Sequence, residues 1–85
     1  MYFVYALYNS KEDKIYVGQT RNLEKRLFEH NSKLGNHYTA KLTGSWIVVY
    51  KEEVVSRRVA INREKQLKSY QGRQFIKNLI KQIPL

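Results

Sequence analysis

Residues 14–20 read "KIYVGQT". Ile15, Tyr16 and Val17 are strand formers, whereas Gly18 weakens a strand and marks a bulge or a close backbone approach. A tyrosine beside a bare glycine, just where a helix is due to begin, raises the question of what the pair faces. Upstream, residues 2–8, "YFVYALY", are rich in Tyr, Val and Phe, and "NSKEDK" between the two runs supplies turn residues. The runs predict an antiparallel hairpin with a loop of about six residues, within the range for such pairs.

Downstream, "NLEKRLFEHNSKLG" reads as a helix with Asn22 or Thr20 as N-cap and Gly35 as its stop. Leu23, Leu27 and Leu34 form a narrow apolar stripe; His30 falls inside it and Arg26 on its edge. After the polar "NHYTAKLTG", the run "SWIVVYKE" predicts a third strand centred on residues 46–50. Ser56 is positioned to cap a helix that runs to about Tyr70, with Val59, Ala60, Leu67 and Tyr70 as its apolar face and Glu64 at the margin. A last helix, about Arg73 to Gln82, presents Phe75, Ile76, Leu79, Ile80 and Ile83 before Pro84 ends it. The predicted class is α+β: a small three-stranded antiparallel sheet flanked by helices, order β-β-α-β-α-α, in one domain spanning residues 1–85.

The composition, 42% hydrophobic and 13% aromatic with seven tyrosines, is that of a folded chain. The absence of cysteine excludes disulfides and thiolate zinc sites and suits a reducing compartment. "YFVYALY" is too short for a secretory signal core, and no run approaches the roughly 20 apolar residues that span a bilayer. The expectation is a soluble, cytoplasmic protein without a membrane partner. Sixteen Lys and Arg against seven Asp and Glu give a net charge of +9, which favours a polyanionic partner such as DNA or RNA.

Three side chains stand where packing would prefer apolar ones. His30 reads as a hydrogen-bonded core histidine or as a proton carrier; Arg26 either snorkels or points a charge inward. Glu64, near Arg63, Lys65 and Lys68, is a surface ion-pair partner or a ligand. With Tyr5 and Tyr16 on the hairpin, a sheet packed on one face would gather two phenols, a guanidinium, an imidazole and one carboxylate around Gly18. Phosphodiester cleavage needs a base for water, charge stabilisation at phosphorus and relief of the leaving oxygen, and this set meets those needs with one metal ion on Glu64.

"FVYAL" followed by "IYVGQTRNLEKRLFEH" resembles the GIY-YIG nuclease superfamily, and more closely its small stand-alone members related to the nuclease domain of the excision-repair incision subunit. Tyr5 matches the tyrosine of the first motif half, "YVG" at residues 16–18 stands for "YIG", and "NREKQLK" carries the later glutamate. The likeness covers about residues 2–80. It implies a three-stranded antiparallel sheet with flanking helices and metal-dependent hydrolysis of DNA. Carried over by position, Tyr16 is the general base or holds the attacking water, and Tyr5 orients phosphate or water. Arg26 stabilises the transition state, His30 assists proton transfer, and Glu64 is the sole protein ligand of the metal. An unperturbed phenol has a pKa near 10, so Arg26 and the metal must favour its ionised form. Gly18 lets backbone and substrate approach closely. A single carboxylate suits Mg2+, or Mn2+, better than zinc. The chain departs from the pattern in reading "VYA" for "GIY" and in carrying Gln19 where some relatives have lysine. A late asparagine found in some relatives has Asn62 and Asn78 as candidates, neither anchored by a motif.

Gly18, Gln19, Arg21, Lys25, Lys41, Arg63 and Lys68, with Arg57, Arg58 and Lys65 beyond them, are the candidate substrate contacts, predicting salt-sensitive binding indifferent to sequence. Tyr38 and Trp46 read as core aromatics or base-stacking platforms. The expected substrate is branched, nicked or damaged DNA, in repair or recombination, with a second copy or a repair complex as possible company. The rival readings are an inactive basic binding module docking to such a complex and a ribosome-associated RNA binder.

Overall fold

The strand β1 (Tyr2–Asn9) is apolar on both sides because it lies in the middle of the sheet, with β2 (Lys14–Thr20) on one flank and β3 (Ile47–Val54) on the other, both antiparallel. A computed structural model describes residues 1–32 and 43–84; Leu34, Gly35, His37, Tyr38 and Lys41 lie outside the described residues. The hairpin closes over residues 10–13, a tighter turn than the six residues expected, because both strands run further than their apolar cores. Asp13, at φ 54°, takes the left-handed conformation, and its carboxylate accepts from the Tyr8 hydroxyl at 2.9 Å. Asn9, fully buried, accepts from the Glu12 amide and donates to the Thr43 carbonyl.

Strand parity divides the molecule. Even-numbered Val4 and Ala6 join Val17, Val54, Ala60, Leu67 and Ile76 in one core, against the helices α2 (Arg57–Lys68) and α3 (Tyr70–Lys81). Odd-numbered Tyr5 and Leu7 join Trp46 in a second core, onto which Leu23 and Leu27 of α1 (Leu23–Ser32) pack. The sheet is therefore flanked by helices, as expected, and on both faces, rather than packed on the one face considered for gathering the site groups. The register of β1 on β3 shifts between Ala6 and Leu7, so that Val49 is the unmatched residue and packs, with Tyr50, toward the α2/α3 core.

Asn22 is the cap of α1, its Oδ1 accepting from the Lys25 amide, while Thr20 Oγ1 accepts from the Asn22 amide one step earlier. At the far end of α1, Asn31 donates to the Trp46 carbonyl at 3.1 Å and accepts from the Trp46 amide at 2.7 Å, tying the helix to the start of β3. Trp46 is buried as core, just before a strand that begins at Ile47 and runs to Val54, two residues past the expected run "SWIVVYKE". Ser56 caps α2 through the Val59 amide, as expected.

The break between the last two helices differs from the sequence expectation. It is the single residue Ser69, whose hydroxyl donates to the Gln66 carbonyl at 2.6 Å and accepts from the Gly72 amide at 3.2 Å, closing one helix and opening the next. Tyr70 thus begins α3 instead of ending the apolar face of α2, and it is 77% exposed; Val59 is exposed as well. Gly72 sits in the first turn of α3, where a β-carbon would stand 2.3 Å from the Gln66 carbonyl oxygen and 2.5 Å from Leu67 Cα.

Candidate active site

Tyr5 pairs with Gly18 and Leu7 with Tyr16 across the hairpin, so Tyr5, Tyr16 and Gly18 share the face that α1 covers. The absent side chain of Gly18 makes room for a phenol. A β-carbon there would stand 2.8 Å from the Tyr5 hydroxyl oxygen, 3.0 Å from Tyr5 Cζ and 3.0 Å from Tyr16 Cε1. The space beside Gly18 is filled by the Tyr5 ring, and Gly18 itself is buried. Tyr5 is 1% exposed and its hydroxyl hydrogen-bonds His30 Nε2 at 3.1 Å; His30 is 2% exposed. The Tyr16 ring packs beside both, 4.8 Å from the imidazole and 6.2 Å from Tyr5, centroid to centroid. His30 lies in the apolar stripe of α1 because its polar partner is there too.

Arg26, one helical turn before His30, bonds Glu29 at 3.3 Å and faces both phenols. Burial works against its charge, but the Tyr5 and Tyr16 hydroxyls, with Glu29, hold the guanidinium above its ordinary pKa. Burial is also the largest influence on Tyr5, followed by repulsion from Tyr16, and the two push its pKa from 10.0 up to about 12 against the pull of Arg26. Tyr5 is therefore a protonated hydrogen-bonding group at neutral pH and is unsuited to serve as a base.

Glu64 belongs to α2, on the opposite face of the sheet, in the stripe of Ala60 and Leu67. Its field nevertheless reaches Tyr5, where it disfavours ionisation. The two halves meet at the outer edge of β2. There a cavity is lined by Ile15 and Val17 from one side of the strand, by Tyr16 from the other, and by Lys68 and Arg73. Lys68 Nζ bonds Glu64 Oε2 at 2.6 Å. Among the described residues no group of three or more His, Cys, Asp and Glu side chains gathers to hold an ion. A lone, half-buried carboxylate near phenols is a hard-oxygen donor set, and it fits a divalent ion that keeps most of its waters.

The remaining candidate contacts scatter. Gln19 pairs with Val4 and lies on the α2/α3 face. Arg21 stacks on the Tyr2 ring at 5.4 Å and lines, with Phe3 and Lys51, a separate cleft of about 730 Å3 between α1 and β3. Lys25, Arg57, Arg58 and Lys65 are exposed helix residues. Arg63 turns toward β3, where it binds Glu52 at 2.8 Å and Gln66 at 2.7 Å, so the expected substrate contact is a strut between α2 and the sheet. Glu52 also accepts from the Tyr50 hydroxyl, and the Arg63 bond, the strongest influence, holds its carboxyl below the usual range. Arg73, which sequence reading took only as the start of the last helix, stands beside Tyr16.

These features are those of a nuclease fold, and the family comparison agrees: the chain belongs to the GIY-YIG family, whose catalytic domain matches residues 1–78. Its curated relatives are small proteins of similar length. It is similar to a UPF0213 protein of Staphylococcus haemolyticus, 33% identical over 89% of this chain and 90% of that one. It is also similar to one of Clostridium perfringens, 40% identical over 80% and 71%, and to one of Haloquadratum walsbyi, 33% identical over 81% and 75%. No solved structure matches the chain.

Proposed function

We propose that the protein is a divalent-metal-dependent endonuclease that hydrolyses DNA phosphodiester bonds, selecting branched, nicked or damaged DNA in repair or recombination in the cytoplasm. The observation that carries this is the meeting of two phenols, an imidazole and a guanidinium over Gly18, with Glu64 in electrostatic reach across the edge of β2. Tyr16 holds the attacking water and takes its proton. Tyr5, kept protonated by burial, donates toward the phosphate or the water, and His30 fixes its hydroxyl. Arg26, firmly charged, faces the excess negative charge of the pentavalent phosphorus. Glu64 would hold Mg2+ or Mn2+. Such an ion, when bound, neutralises the phosphate and the leaving oxygen. A net charge of +9 on so short a chain supports binding to the DNA backbone irrespective of sequence.

The test is incubation with branched, nicked and plasmid DNA plus Mg2+ or Mn2+, beside Glu64→Gln and Tyr16→Phe. Metal-dependent nicking that falls about a hundredfold or more in both variants is the expected outcome. DNA left intact by the wild type, or equal nicking by the variants, defeats the proposal. A second reading, a basic DNA-binding module without turnover, is favoured by one observation: Lys68 already occupies one Glu64 oxygen. That reading expects intact DNA and salt-sensitive retention in the same experiment.

A further inference from the structure

The cavity at the outer edge of β2 measures about 180 Å3, room for about six waters at about 30 Å3 each. It is open, small and cationic, and it adjoins the Tyr16 ring. Lys68 and Arg73 line it from α2 and α3, but they differ in their engagements. Arg26, Arg63 and Lys68 each have a carboxylate partner. The Arg73 guanidinium has none among the described residues, although its backbone amide bonds the Ser69 carbonyl and so fixes the first turn of α3. An arginine with no acid partner among the described residues, carried on a helix at a cavity beside a phenol, offers a planar fork of donors to a tetrahedral anion.

We propose that this cavity seats the phosphodiester group of the DNA substrate next to Tyr16, and that Arg73 is the residue that grips it. The inference rests on the nuclease reading and adds to it a substrate-contacting residue from the last helix. Lys68, held by Glu64, lends positive charge at the rim, while Arg73 supplies the directed hydrogen bonds.

The first probe is inorganic phosphate, titrated into the metal-free protein while NMR follows the Arg73 Nε–H and the Tyr16 and Val17 amides. Saturable shifts confined to these groups are expected, abolished in Arg73→Ala and weakened in Arg73→Lys. Shifts spread evenly over the basic surface, or unchanged in Arg73→Ala, overturn the subsite. The second probe is nicked duplex DNA without divalent metal. Arg73→Ala is expected to lose affinity by about tenfold to a hundredfold and to flatten the salt dependence by about one unit of slope. Single-turnover cleavage at saturating DNA then separates a site residue from a generic cation: Arg73→Ala slows it, whereas Lys81→Ala, at the other end of α3, matches the wild type. Where the wild type cuts DNA, equal rates for the two variants overturn the proposal. Saturable phosphate binding at Arg73 in a protein that cuts no DNA upholds the subsite and rejects the nuclease reading.

Discussion

Tyr5 is the residue on which the site turns, because one side chain takes part in the core, the hydrogen bond to His30 and the field of Arg26. Its pKa is raised from 10.0 to about 12, which means that the fold binds the phenol's proton more tightly than the unfolded chain does. The resulting stabilisation is present in full below pH 10 and is lost as the pH rises from 10 toward 12; it amounts to on the order of 3 kcal/mol. Denaturant midpoints measured at pH 9 and pH 11.5 are expected to fall more steeply in the wild type than in Tyr5→Phe, and parallel falls would refute the assignment. Gly18→Ala drives a methyl group into the Tyr5 hydroxyl and ring, and should destabilise the protein by about 1–3 kcal/mol and break the bond to His30. An unchanged midpoint in urea would show that the phenol yields. The sequence made His30 and Arg26 conspicuous as polar residues on an apolar stripe. It left open whether they were inert, because a hydrogen bond 25 positions away in the chain has no local signature.

At the scale of elements, the hairpin and first helix were legible because period-2 and 3.6-residue patterns abut with a capping asparagine between them. The α2–α3 junction was not. Gly72 falls in the gap expected between a helix ending near Tyr70 and one starting near Arg73, yet it lies inside α3, and its lack of a side chain serves the close approach of α3 to the last turn of α2. Ser69, an unremarkable serine in sequence, makes the break with hydrogen bonds in both directions. Gly72→Ala should therefore cost more than Ser69→Ala. The cap is worth about 1 kcal/mol, whereas the new β-carbon meets backbone that cannot rotate away, at the upper end of the about 1–3 kcal/mol typical of overpacking or beyond. Thermal or urea unfolding of the two variants ranks them, and the reverse order would mean that the helices separate easily. The ion pair of Arg63 was hidden for a related reason: its charge is obvious in sequence, but its acid partner is 11 residues away on a strand.

For the molecule as a whole, the order of elements was readable from the sequence while the two-sided packing of the sheet was not. "YFVYALY" is a continuous apolar run, the pattern of a strand buried on both faces, and that pattern distinguishes a central strand from an edge strand only once its neighbours are known. The consequence for the site is that its groups come from both sides. α1 brings Arg26 and His30 to one face, α2 and α3 bring Glu64, Lys68 and Arg73 to the other, and β2 is the partition they reach around.

The alternation along β1 also works as a code of odds and evens: Tyr5 and Leu7 face the α1 side and the candidate site, Val4 and Ala6 the aliphatic interior. Slipping that strand by one place would exchange the two sets at a stroke, sending a phenol among aliphatics and an alanine to the α1 face beside His30. Length changes near this strand are thus tolerated only in even steps or where a bulge absorbs the odd residue, so the spacing of the two tyrosines is constrained by geometry before any demand of chemistry applies.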